Sequence, residues 1–88
     1  MMYDYKEIKP NIFTEEGQVM FLTIRDNVNK LLEKAGAVSM FSAFSECTGD
    51  SWQMMACVDR LVELGEIKEV PRGEDCPGQY RIFVKPGE

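Results

Sequence analysis

The sequence predicts an α+β domain in which three helices are followed by a C-terminal β-hairpin. Three observations predict it. Residues 14–36 place apolar side chains at intervals of three and four between a capping threonine and a terminating glycine. Residues 50–64 repeat that pattern behind an aspartate. Residues 67–85 then change to two short strand-like runs on either side of a turn rich in Pro and Gly.

Taken in order, residues 1–13 read as an N-terminal arm and residues 14–88 as the domain. Within the arm, Tyr3-Asp4-Tyr5-Lys6 alternates like a short strand, and Pro10-Asn11 interrupts it. Its aromatic residues predict packing, either on the domain itself or on a second copy. Thr14 is a good N-cap, Glu15 and Glu16 suit the positive end of a helix dipole, and Phe13 is placed for a hydrophobic staple. Phe21, Ile24, Val28, Leu31, Leu32 and Ala35 form the apolar stripe of a helix over 15–35, which Gly36 stops. Gly17 reads as a mild weakness in its first turn.

Ala37-Val38 reads as a one-bridge strand, and Ser39 caps a short second helix reaching Glu46. Met40, Ala43, Phe44 and Cys47 share one face of it, and Thr48-Gly49 breaks it. Asp50 or Ser51 caps the third helix. Its core face holds Met54, Cys57, Val58, Leu61 and either Leu64 or Gly65, and the opposite face holds Trp52, Ala56, Asp59 and Glu63. Ile67–Val70 and Tyr80–Lys85 read as paired strands, with Tyr80, Ile82 and Val84 on one side of the second. The turn formers between Pro71 and Gly78 mark the hairpin tip.

Composition narrows the function classes. The 88 residues carry 44% hydrophobic and 28% charged side chains, in the range of a globular domain. A chain of this size folds with a modest margin, and pairing into a homodimer would add to it. No apolar run approaches the roughly 18 residues that span a bilayer, and the first residues lack the apolar core of a signal peptide, so a cytoplasmic protein is expected. Cys47, Cys57 and Cys76 are widely spaced and histidine is absent, which argues against a zinc site and removes Ser-His and Cys-His couples. No Gly-rich phosphate loop is present. Neither an enzyme nor a cofactor is expected.

The segment Met54-x-x-x-Val58-x-x-Leu61-x-x-Leu64-Gly65-x-Ile67, with the hairpin after it, resembles the end of a recognition helix and its passage into the wing of the winged helix-turn-helix superfamily of bacterial transcription regulators. The resemblance covers about residues 14–85. It implies a three-helix winged helix-turn-helix with a C-terminal β-hairpin wing, and double-stranded DNA as partner, as in a small transcription regulator or mobile-element accessory protein. These domains often hold a small alanine deep in the second helix, a place that falls here to Ala43 or Phe44. On the resemblance, Ser51, Trp52 and Gln53 would face bases, and Arg60, Lys68, Arg72 and Arg81 would hold phosphates.

Charge opens a second reading. Net charge is −5. Residues 37–67 hold one base, Arg60, against five acids, Glu46, Asp50, Asp59, Glu63 and Glu66. Duplex affinity rests largely on neutralising phosphates, and this region opposes that. The alternative is a winged helix used as a protein-interaction module with an acidic recognition helix. Trp52 would anchor the partner beside Met55 and Ala56, rimmed by Asp59 and Glu63. Trp52 is equally placed to fold down onto the second helix or the arm as peripheral core.

Overall fold

The chain begins with a tight N-terminal strap. The computed structural model describes residues 3–45, 47–70 and 81–87. Asp4 caps helix α1 (Tyr5–Ile8) by accepting from the Lys6 amide, and a 3-10 segment follows over Lys9–Phe13. The strand expected at Tyr3–Lys6 is thus a helical turn. The Asp4 carbonyl accepts from the Glu7 and Ile8 amides, and the tyrosine side chains reach a neighbouring helix instead of a sheet edge.

Helix α2 (Glu15–Ala35) has the expected bounds and caps: Thr14 accepts from the Gly17 amide, and Gly36 closes the helix at φ 75°. Phe21, Ile24, Val28 and Leu32 are buried, Leu31 is half-buried and Ala35 is exposed. Two first-turn expectations change. Gly17 is buried, and a Cβ on it would lie 2.0 Å from the Asn11 carbonyl oxygen and 2.7 Å from that of Ile12. It is therefore a close-approach residue that lets the strap pack on α2, and that packing buries Ile12. Phe13 forms no staple. It is 56% exposed, because the residue it would meet one turn into the helix is Gln18, whose amide donates to the Ile12 carbonyl; its ring lies under Arg60 instead.

Strand β1 (Ala37–Ser39) leads into helix α3 (Met40–Ala43), which Ser39 caps by accepting from the Ser42 amide. This helix is shorter than expected and continues as turns through Ser45. Ala43 is fully buried and Phe44 half-buried, so the small residue takes the deep position.

Helix α4 (Ser51–Glu63) is capped by Asp50. Met54, Cys57, Val58 and Leu61 are buried as expected. Leu64, expected as a candidate for the core face, is 47% exposed, because the helix ends at Glu63. Gly65 turns the chain at φ 78°, and Ile67 is the residue that returns to the core.

Strands β2 (Lys68–Glu69) and β3 (Ile82–Val84) pair antiparallel, and β1 adds on the other side of β3, giving a three-stranded sheet of order β1-β3-β2. The expected hairpin is thus present as a pairing, joined by a third strand. Phe83 on the central strand is fully buried, while Ile82 and Val84 are half-buried. The expected tip, with Arg72, and Tyr80 lie outside the described residues.

The result is a small α+β domain of four helices and a three-stranded antiparallel sheet. One core joins α2, α4, β1, β3 and the strap. Among the described residues no helix is long and apolar enough to cross a membrane.

Candidate functional site

The strap covers much of the α4 face expected to be open. Tyr3 donates to Asp59 at 2.5 Å and Tyr5 to Glu63 at 2.7 Å. Lys9 pairs with Glu63 at 3.0 Å, and the Gln53 amide nitrogen lies 3.5 Å from the Asn11 carbonyl oxygen. Ala56 sits one turn from Gln53, Asp59 and Arg60, all of which touch the strap, and it is fully buried. It is therefore a packing residue. Because it is buried, neither a thymine methyl nor a partner surface can reach it.

Two of the three arginines expected to hold phosphates, Arg60 and Arg81, are occupied by carboxylates; Arg72 lies outside the described residues. Arg81 grips Glu69 through Nε (2.8 Å) and Nη2 (2.7 Å), and Nη2 also donates to Asp59 at 2.8 Å. Its guanidinium lies 5.3 Å from the Phe83 ring centroid. This fork holds Glu69 below the usual carboxylate range, while Glu69 first and Asp59 second hold the guanidinium still more firmly protonated. Arg60 donates to Glu63 at 2.8 Å and lies 5.4 Å from the Phe13 ring centroid. With Tyr5, Arg60 and Lys9 all donating to it, the Glu63 carboxyl is lowered to about 2. Burial and then the facing carboxylates push both phenols, Tyr3 and Tyr5, above their ordinary value.

The remaining expected residues separate. Ser51 is exposed at the start of α4, and Lys68 is exposed on β2. Trp52 is half-buried and meets the Tyr3 ring edge-on, with centroids 6.5 Å apart at 67°. Trp52 and Met55 line a groove of about 420 Å³ between α3 and α4, walled by Tyr3, Phe41 and Phe44, with Ser51 also in its lining. Phe41 is 69% exposed.

Thus Trp52 and Met55 come together as expected. Asp59 and Glu63 instead anchor the strap. Phe41, Phe44 and Tyr3 are groove residues that sequence reasoning did not assign to the site. The signal for Phe41 is present in the sequence, since it is the large apolar residue lying off the Met40, Ala43, Phe44 and Cys47 face.

A smaller hollow of about 280 Å³ lies between α2 and the segment after α3, near Met20, Thr23 and Thr48. Among the described residues no three His, Cys, Asp or Glu side chains are grouped to hold a metal ion. Cys57 is fully buried, and burial pushes its thiol up to about 12, which makes it inert at neutral pH.

No family model matches the chain, and no curated protein or solved structure is significantly similar to it.

Proposed function

We propose that this chain is a winged-helix domain that works as a protein-interaction module. The element order from α2 onward, with the sheet order β1-β3-β2, supports the winged-helix assignment. The observation that carries the functional reading is the aromatic groove at the α3–α4 junction. An indole, three further aromatic rings and two methionines line one concavity, which is the composition of an anchor pocket and not of a phosphate-binding surface. The arginines that would oppose this reading, Arg60 and Arg81, are consumed by Glu63, Asp59 and Glu69.

The test is selection from a displayed random peptide library, with Phe41→Ser and Trp52→Ala as counter-selections. The reading expects enriched peptides that share apolar anchors and lose binding to both variants. A library from which nothing enriches would sink it.

One observation favours a second reading, duplex DNA binding. Ser51 is exposed at the start of α4, and Lys68 and Lys85 are exposed with no carboxylate partner among the described residues. Titration of a random duplex at about 50 and about 200 mM salt separates the two readings. Steeply salt-dependent binding that falls on Lys68→Ala or Arg72→Ala would make DNA the target. Absence of binding at the lower salt leaves the protein-docking reading.

A further inference from the structure

We propose that the α3–α4 groove takes a cationic amphipathic helix of a partner protein; this inference rests on the protein-interaction reading above and names the partner's chemistry. The apolar floor fixes half of that chemistry. A volume of about 420 Å³ lies in the lower part of the range for binding pockets (roughly 300–1,000 Å³) and suits a few large side chains. A groove between two helices receives a third helix through apolar residues spaced three and four apart.

The rim fixes the other half. Residues 40–55, which supply most of the lining, contain no lysine or arginine. Asp50 directly precedes Ser51 at the lining, and Asp4 directly follows Tyr3 in its wall. Both aspartates are exposed, each accepts a backbone amide at a helix start, and neither has a cationic partner among the described residues. The domain's nearby arginines do not offset them. Arg81 is held by Asp59 and Glu69, and Arg60 by Glu63 against Phe13. The faces of Trp52, Phe41 and Phe44 attract cations as well as apolar groups. An incoming helix therefore meets aromatic surface at its centre, and Asp4 and Asp50, which adjoin the lining in sequence and have no ion pair among the described residues, select lysine or arginine flanking the anchors.

The experiment uses two synthetic peptides with the same leucines at helical spacing, one with lysine and one with glutamate at the remaining positions. Trp52 is the single tryptophan, so its emission reports groove occupancy directly. The lysine peptide should bind about tenfold more tightly than the glutamate peptide at low salt, with the gap closing as salt rises. Asp4→Asn with Asp50→Asn should narrow the gap while the fold is kept, because asparagine also caps helices. Phe41→Ser should weaken the lysine peptide. Lysine-peptide binding that ignores Phe41→Ser is attraction to the acidic surface elsewhere, and it overturns the proposal. Equal affinity for the two peptides overturns the charge inference and leaves the groove as a protein site. Failure of both peptides to move Trp52 emission overturns the proposal and the protein-interaction reading together. Sedimentation showing a dimer that Phe41→Ser dissociates would make a second copy the occupant, and that also overturns the proposal.

Discussion

Replacing Gly17 by alanine separates two physical accounts of the N-terminal strap. Helix propensity alone favours alanine by about 1 kcal/mol in a helix interior. The structure predicts the opposite sign. The added Cβ would stand 2.0 Å from the Asn11 carbonyl oxygen and 2.7 Å from that of Ile12, and both obstacles are backbone atoms that no side-chain rotation can move. Relief requires the segment Lys9–Phe13 to lift from α2. Lifting exposes Ile12, now 1% accessible, at a cost of about 1.5–3 kcal/mol. It also loosens the Tyr5 and Lys9 contacts to Glu63 and adds the strain of an overpacked site. With the propensity gain subtracted, the net loss is about 2–3 kcal/mol. A domain of this size has about 4–13 kcal/mol in total, so the variant should fold but with a visibly lower margin. Urea unfolding followed by circular dichroism and Trp52 emission measures it, and the midpoint should fall by about 1–2 M. The native emission should change too, because Tyr3 meets the indole edge-on and moves with the strap. A Gly17→Ala protein as stable as the parent, with unaltered emission, would refute the close-packed strap.

Further outcomes are expected at three residues. Glu63 has its carboxyl lowered from 4.5 to about 2 by Tyr5, Arg60 and Lys9, so the folded state favours the carboxylate. Its contribution is complete at neutral pH and declines as pH falls from about 4.5 to about 2; Glu63→Gln should flatten that part of the stability–pH curve, and an unchanged slope would count against the assignment. Arg81→Ala should cost about 1–3 kcal/mol in urea unfolding, because Asp59, with its side chain only 13% accessible, loses its cation. Arg81→Lys should recover only part of this, since one ammonium cannot reproduce the fork that spans Glu69 and Asp59; full recovery would argue against that geometry. Cys57 should resist alkylation at about pH 8 in the folded protein and react once denatured, as read by peptide mass spectrometry; rapid native labelling would contradict its burial.

Local chemistry made several parts of the fold legible. The bounds of α2 follow from Thr14 and Gly36, and the start of α4 from Asp50, because caps act on amides and carbonyls within a turn of themselves. Periodicity likewise marked Phe21, Ile24, Val28, Met54, Cys57, Val58 and Leu61 as core. The errors cluster where a distant segment arrives. Ala56 looked open because nothing near it in sequence covers it; it is fully buried, and the strap, more than forty positions earlier, meets Gln53 and Asp59 one turn to either side of it. Arg81 looked like a free cation because Asp59 stands 22 residues away. Gly17 looked like a defect because the carbonyls it accommodates belong to a segment whose path over α2 no periodicity encodes.

The candidate site divides the same way. That Trp52 and Met55 lie together on one helix, in a stretch rich in acids and poor in bases, is a property of residue order and of 3.6-residue spacing. That these side chains face Phe41, Phe44 and Tyr3 across a groove, while Asp59 and Glu63 turn to the strap, depends on how α3, α4 and the N-terminus pack. Residue order fixes which atoms neighbour one another along a helix. Only the packed chain fixes which charges are neutralised and which apolar surface stays exposed.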